Sequence, residues 1–240
     1  MLPIGDYAGQ RRSFPYVNYA LIAINVVAFL YEVTLPEQQL ERFIMQWGTV
    51  PREITSGIDA DPKIGLPIYV TLLTSMFLHA SWLHLGGNML YLWVFGDNVE
   101  DAFGHFKYLI FYLLCGVAAS LVQIGFNLDS TIPSLGASGA IAGVMGAYLV
   151  MFPGATVRTL VILVVFVTVT YLPAILVIGV WFILQLIQGI GSLGVRTQQT
   201  GGVAVWAHVG GLIAGAVLAL FFRRPDYRTA APTMYRGYGD

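Results

Sequence analysis

The chain has 240 residues, of which 57% are hydrophobic and only 10% charged, and its mean hydropathy is +0.72. A soluble domain normally carries about a quarter charged residues. This composition therefore excludes an ordinary soluble domain and predicts a chain surrounded largely by lipid. The net charge of −1 argues against nucleic acid as a partner, because phosphate binding needs a basic surface.

The amino-terminal region does not resemble a cleaved signal peptide. Arg11 and Arg12 precede a long apolar run that has no small-residue cleavage site after it. We expect residues 1–15 to be a cytoplasmic segment and 16–33 to be a first transmembrane helix that is retained. Residues 34–81 begin with a stretch that is too polar for lipid and too long for a hairpin, so they predict a structured loop on the outer surface.

Charged residues divide the rest of the chain into apolar segments of transmembrane length. Residues 159–195 carry no charge, but a straight helix of that length would measure about 55 Å, nearly twice the hydrocarbon thickness. We therefore expect one span there, preceded by a strand-like or interfacial segment rich in Val and Thr. The predicted fold is an all-α, polytopic bundle of six transmembrane helices in a membrane domain at 16–222, followed by a cytoplasmic tail at 223–240. The five later spans are predicted at 82–102, 106–126, 138–152, 172–190 and 202–222.

The distribution of basic residues supports this topology. With six spans and the amino terminus inside, eight of the 12 Lys and Arg residues face the inner side, in agreement with the positive-inside rule. We therefore expect a multi-pass protein of the plasma (inner) membrane with both termini cytoplasmic. The inner residues are Arg11, Arg12, Lys107, Arg158, Arg223, Arg224, Arg228 and Arg236, and the outer ones are Arg42, Arg52, Lys63 and Arg196.

Four polar residues are predicted to lie at one depth below the outer surface. The second, fourth and sixth spans all run from outside to inside, and their first turns carry His84, Asn88, Ser138 and His208. The fourth span is short, which places its first residue about 8 Å below the outer surface, and His208 is about 9 Å into the sixth span. Polar groups inside a membrane are costly and often mark a functional site.

These residue types suit nucleophilic catalysis. A serine hydroxyl becomes a good nucleophile when an adjacent base takes its proton, and neutral imidazole is a common base. We therefore predict Ser138 as nucleophile and His208 as base. The oxyanion hole would combine the backbone of Ser138 at a helix amino terminus, Gly136, and the side chains of His84 and Asn88, which are four residues apart on one helix face.

Other hydrolytic chemistries lack the residues that they need. The two lysines lie outside the apolar runs, and the H-E-x-x-H pattern of a zinc protease is absent. Asp97, Glu100 and Asp101 cluster at the inner end of the second span, where they indicate helix-end contacts. His79 and His105 receive no functional role, and the single cysteine is interpreted as a packed apolar residue.

At these residues the sequence resembles the rhomboid family of intramembrane proteases. The resemblance covers roughly residues 16–222 and depends on four motifs in a fixed order. They are Trp47-Gly48-Thr49-Val50-Pro51, His84-Leu85-Gly86-Gly87-Asn88-Met89, Gly136-Ala137-Ser138-Gly139, and Ala207-His208-Val209-Gly210-Gly211 with Gly215.

The resemblance implies a Ser–His dyad without a carboxylate, no cofactor, and cleavage of transmembrane protein substrates that enter past the fifth helix. The sequence supports the dyad independently, because no Asp or Glu lies between Asp129 and Asp226. Two other interpretations remain open. One is an inactive rhomboid-like binding protein, although Ala137 stands where such relatives carry a blocking proline; the other is a small transporter or channel.

One position departs from the family pattern. Some members carry, four residues after the serine, an aromatic residue that stacks on the histidine, and this chain has Ala142 there. His208 must then be held by close helix packing through Gly211 and Gly215, or by an aromatic residue from elsewhere. Small residues at 139, 143 and 147 predict a close contact between the fourth and sixth helices.

Overall fold

The computed structural model describes residues 1–9, 12–59, 67–163, 166–192 and 204–224. Most of the predicted cytoplasmic tail, the start of the predicted sixth span, and the outer basic residues Lys63 and Arg196 lie outside these residues.

Helices occur at each predicted span, and their ends lie within three residues of the predicted ends wherever both ends are described. Within 34–59 and 67–81, the described parts of the predicted outer loop, there are three further helices, the last of which is flanked by 3-10 turns at Ile68–Val70 and Ser75–Phe77. In chain order the helices are α1 (Tyr16–Glu32), α2 (Glu37–Trp47), α3 (Pro51–Ser56), α4 (Thr71–Thr74), α5 (Trp82–Phe103), α6 (His105–Gly125), α7 (Ser138–Met151), α8 (Ala174–Ser192) and α9 (Val205–Phe222).

Length and apolar composition qualify only some of these helices as membrane spans. Within the described residues, α6, α8 and α9 are each long and apolar enough to cross a bilayer. The helical segment before α5 and α5 itself, which are bent by 83° relative to each other, would together make a fourth. Helices α1 and α7 are apolar but have only 17 and 14 residues.

The prediction of an all-α fold is incomplete, because the chain also forms a three-stranded antiparallel sheet in the order β1 (Leu2–Tyr7), β2 (Thr156–Leu163) and β3 (Phe166–Pro173). Strands β2 and β3 are the Val- and Thr-rich segment expected to be strand-like before the fifth span. Their β-branched side chains suit extended backbone, and Val157 and Thr159 are fully buried while Arg158 between them is exposed. Strand β1 was not predicted, since the first ten residues show no clear alternation.

Helix α7 lies at the centre of the bundle. Most of its residues are buried, and it packs against α5, α6 and α9. Strand β2 follows its carboxyl end, so the sheet lies at the end of α7 opposite Ser138. A 14-residue helix is only about 21 Å long, so its first residue can lie below the surface of the bundle.

The acidic residues at the end of α5 bind the start of α1. Glu100 accepts hydrogen bonds from the N–H groups of Val17 and Asn18, and Asp101 accepts from the N–H groups of Arg12 and Ser13. These are helix-end contacts, as the sequence indicated, and carboxylates near a helix amino terminus are stabilised by its unpaired N–H groups.

Candidate active site

Ser138 and His208 are in hydrogen-bond contact. Ser138 is the first residue of α7, His208 lies in the first turn of α9, and the serine Oγ is 2.6 Å from Nε2 of the histidine. His208 is only 5% exposed, whereas Ser138 is half-buried. The geometry lets the serine hydroxyl donate to an unprotonated imidazole nitrogen and leaves the serine oxygen accessible.

Close packing of α7 against α9 brings the two residues together. A β-carbon added to Gly211 would overlap the carbonyl oxygen of Gly139, and one added to Gly215 would overlap that of Gly143. The two backbones are therefore in direct contact, as the small-residue pattern predicted. Gly139 follows Ser138 and Gly211 lies one turn after His208, so the packing acts directly beside the site.

The opposite edge of the His208 ring is held by α8. Nδ1 of His208 is 2.7 Å from Oε1 of Gln185, and the indole of Trp181 lies 5.4 Å from the imidazole, ring centroid to ring centroid. Both alternatives to an aromatic residue at Ala142 are therefore present: the close glycine packing between α7 and α9, and an aromatic residue from elsewhere, Trp181. Gln185 was not among the residues predicted to form the site. The signal that could have found it is a polar side chain within an apolar, 37-residue uncharged segment.

His84 faces the serine across Gly136. A β-carbon at Gly136 would lie 2.8 Å from Cε1 and 2.9 Å from Nε2 of His84, and 3.7 Å from Oγ of Ser138. Nδ1 of His84 accepts a long hydrogen bond, 3.5 Å, from the N–H of Ala80. A neutral imidazole that accepts at Nδ1 carries its proton on Nε2, which places a donor beside the serine.

Gly136 lies between the ring of His84 and the hydroxyl of Ser138. Its N–H donates to the carbonyl oxygen of Ser75 at 2.9 Å, so this group is already engaged. The assignment of Gly136 to the oxyanion hole stays a prediction, and it depends on the space that a glycine leaves for the substrate backbone rather than on this N–H group. Its φ of +122° and the nearby ring of His84 both favour a residue without a side chain.

Asn88 is buried and hydrogen-bonded to a histidine that was assigned no role. Its Nδ2 is 2.9 Å from Nε2 of His79, which is only 2% exposed. The N–H of His79 in turn donates to Oε2 of Glu32 at the end of α1. Because the amide nitrogen has two hydrogens, this bond orients Asn88 and leaves one hydrogen for a second acceptor.

A small, open cavity lies beside the serine. Small residues dominate its lining, which includes Ser75, Gly116, Ala119, Ser120, Gly139 and Ala207. Within the described residues, no three His, Cys, Asp or Glu side chains group closely enough to hold a metal ion. His105 lies apart from this site and contacts Glu100.

Comparison with known sequences identifies the family. A sequence model of the Rhomboid domain matches residues 68–225, which is well over half of the chain. The chain belongs to the rhomboid family. The match includes the segments that carry His84, Asn88, Ser138 and His208. Together with the apolar helices, membership of this family indicates an integral membrane protein.

Similar curated proteins come from several lineages. Rhomboid protein 1, mitochondrial, of Saccharomyces cerevisiae is 33% identical over 145 residues, 58% of this chain and 37% of the yeast protein. Rhomboid protease GluP of Bacillus subtilis is 32% identical over 136 residues, 56% of this chain and 24% of its own length. Rhomboid protease AarA of Providencia stuartii is 37% identical over 86 residues, 30% of this chain and 31% of its own length. The chain thus spans about a quarter to two-fifths of the length of these relatives.

Proposed function

We propose that this rhomboid is an intramembrane serine endopeptidase that cleaves transmembrane segments of other membrane proteins. The observation that carries the proposal is the 2.6 Å contact between Oγ of Ser138 and Nε2 of His208 at the meeting point of two buried helix ends. The similarity to proteins named rhomboid proteases supports it.

In the proposed reaction, Oγ of Ser138 attacks the scissile carbonyl carbon while Nε2 of His208 takes the hydroxyl proton. The protonated histidine then gives this proton to the leaving amine, and an acyl-enzyme remains on the serine. Water, activated by the same histidine, hydrolyses that ester and restores the free hydroxyl. The residues alternate between base and acid, so no cofactor takes part.

The negative charge on the carbonyl oxygen needs donors in the tetrahedral intermediate. We assign this role to the Nε2–H of His84, the second amide hydrogen of Asn88 and the free N–H groups at the start of α7, including that of Ser138. The amino-terminal dipole of α7 acts in the same direction. Hydrogen-bond donors fixed before the reaction stabilise the intermediate without reorganisation, which favours the transition state over the bound substrate.

The arrangement in the bilayer is part of the proposal. We propose six spans, formed by α1, α5, α6, α7, α8 and α9, with both termini in the cytoplasm and the loop at 34–81 outside. This places the dyad below the outer surface of a plasma membrane. The cavity beside Ser138 has small lining residues, so it suits a small substrate side chain next to the cleaved bond.

The decisive experiment measures cleavage of a model transmembrane substrate by the purified chain in proteoliposomes. Ser138→Ala and His208→Ala should abolish cleavage, whereas Ser56→Ala, at an exposed position on α3, should retain it. A fluorophosphonate should label Ser138 in the native chain and fail to label it after His208→Ala. Normal cleavage by a folded Ser138→Ala variant would refute the mechanism. A wild-type protein that is neither labelled nor active on any tested substrate would instead indicate a rhomboid that binds without cutting.

A further inference from the structure

Gln185 is a buried polar side chain that the proposed dyad leaves without a function. It lies on α8, is 9% exposed, and places Oε1 2.7 Å from Nδ1 of His208. The rest of α8 is almost entirely apolar. Burying an amide in such surroundings is unfavourable unless it is hydrogen-bonded, so its contact with His208 accounts for its position.

The contact determines which ring nitrogen of His208 carries the proton. A neutral imidazole has one N–H, and Nε2 must be unprotonated to accept from Ser138. The carbonyl oxygen of Gln185 can only accept, so it favours the proton on Nδ1 and leaves Nε2 free. Trp181 packs beside the same ring and hinders its rotation.

We propose that Gln185 is a positioning residue for His208, supplying with a neutral amide the orientation that a carboxylate supplies in a catalytic triad. The inference rests on the proposed Ser–His mechanism. It also explains how the histidine is oriented although the chain has no Asp or Glu between Asp129 and Asp226. An amide differs from a carboxylate in one respect: it fixes the tautomer without adding a charge beside the imidazolium.

The position of Gln185 links the dyad to the packing of α8. His208 and Ser138 lie on α9 and α7, whereas the group that orients the imidazole comes from a third helix. A displacement of α8 by about 1 Å would lengthen the 2.7 Å contact beyond hydrogen-bond range. The histidine is therefore correctly oriented only while α8 packs against α9.

The test compares steady-state cleavage by substitutions along α8 in the full chain. Gln185→Leu removes the acceptor at similar size, and Gln185→Asn keeps the amide but shortens its reach by one methylene. Both should lower kcat about tenfold to a hundredfold and leave KM within about twofold, because a buried N–H loses its partner while the substrate contacts remain. Gln185→Glu restores an acceptor of the same length and should recover most of kcat. Gln188→Leu, an exposed position on the same helix, is the matched control and should behave as wild type.

A spectroscopic measurement separates orientation from packing. Nitrogen-15 shifts of the histidine rings distinguish the two neutral tautomers, and the signal of His208 is assigned by its loss in His208→Ala. The wild type should show the Nδ1–H form, and Gln185→Leu should show a mixture or the Nε2–H form. A residue that only supports helix packing would leave the tautomer unchanged.

Each outcome decides one of the two proposals. Wild-type kcat and an unchanged tautomer in Gln185→Leu would overturn the positioning role, while an inactive Ser138→Ala variant would keep the protease mechanism intact. Cleavage by Ser138→Ala would overturn the mechanism itself. If Gln185→Leu does not fold, Gln185→Asn decides the question: a folded variant with wild-type kcat overturns the positioning role, and one with reduced kcat supports it.

Discussion

Substitution of Gly211 by alanine tests whether backbone contact between α7 and α9 sets the geometry of the dyad. The added methyl group would lie far inside van der Waals distance of the carbonyl oxygen of Gly139, which is backbone and has no rotamer to change. The two helices must therefore separate by about 1 Å to restore ordinary contact. Overpacking of this kind costs about 1–3 kcal/mol of folding free energy.

The separation acts close to the proposed catalytic pair. Gly139 is the neighbour of Ser138, and Gly211 is three residues from His208, so a 1 Å shift would lengthen the present 2.6 Å contact to about 3.6 Å, outside hydrogen-bond range. A misplacement of about 1 Å can lower catalysis about a hundredfold. We expect Gly211→Ala to lower kcat by that order, measured as initial cleavage rates in proteoliposomes, with fluorophosphonate labelling slowed in parallel.

Gly179→Ala is the matched control, because a β-carbon at that position on α8 would meet no atom within 4 Å. This variant should cleave at the wild-type rate and be at least as stable, since alanine favours helix more than glycine does. Wild-type kcat in Gly211→Ala, with the variant folded, would show that the dyad tolerates helix separation and would refute the reasoning.

Three further substitutions test separate features of the molecule. Asn88→Ala should lower kcat about a hundredfold through loss of an oxyanion donor, as measured by cleavage rates, while a wild-type SDS unfolding curve shows that the fold persists. Gly136→Ala should lower the cleavage rate at least about tenfold, because a φ of +122° strains alanine and the added methyl group would contact the ring of His84. A crystal structure of the variant in which that ring has not moved would contradict this explanation. Asp101→Ala should lower the free energy of unfolding, measured by SDS titration, by about 1–3 kcal/mol, because the N–H groups of Arg12 and Ser13 lose their acceptor. The kcat of the folded fraction should be unchanged.

The positions of the helices followed from the sequence because lipid imposes a simple requirement. A spanning helix must be apolar over a fixed length, and charges interrupt that pattern at clear points. The bounds of α5 and α7 were therefore predicted to within a few residues. The pairing of β1 with β2 was not predictable in the same way, since it joins residues more than 140 positions apart and β1 contains a glycine that interrupts alternation.

The neighbourhood of Asn88 shows what a topological argument omits. His79 precedes α5, outside the predicted span, and its place in the sequence offered no reason to assign it a functional role. The helical segment before α5 is bent by 83° relative to α5, and His79, which lies between the two, is buried and hydrogen-bonded to Asn88 and Glu32. Helix direction predicts depth along the membrane normal, but it does not predict which residues outside the helix contact its side chains.

Gln185 illustrates why the orienting group of His208 escaped a search for carboxylates. The sequence correctly excluded an acid on the later helices, but a neutral amide meets the same requirement for an acceptor at Nδ1. Helix α8 carries two glutamines, Gln185 and Gln188, and composition does not distinguish them. The rotation of α8 about its axis distinguishes them, because it buries Gln185 against α9 and exposes Gln188. That rotation depends on packing between helices, so a polar residue in an apolar span indicates a functional site without identifying its partner.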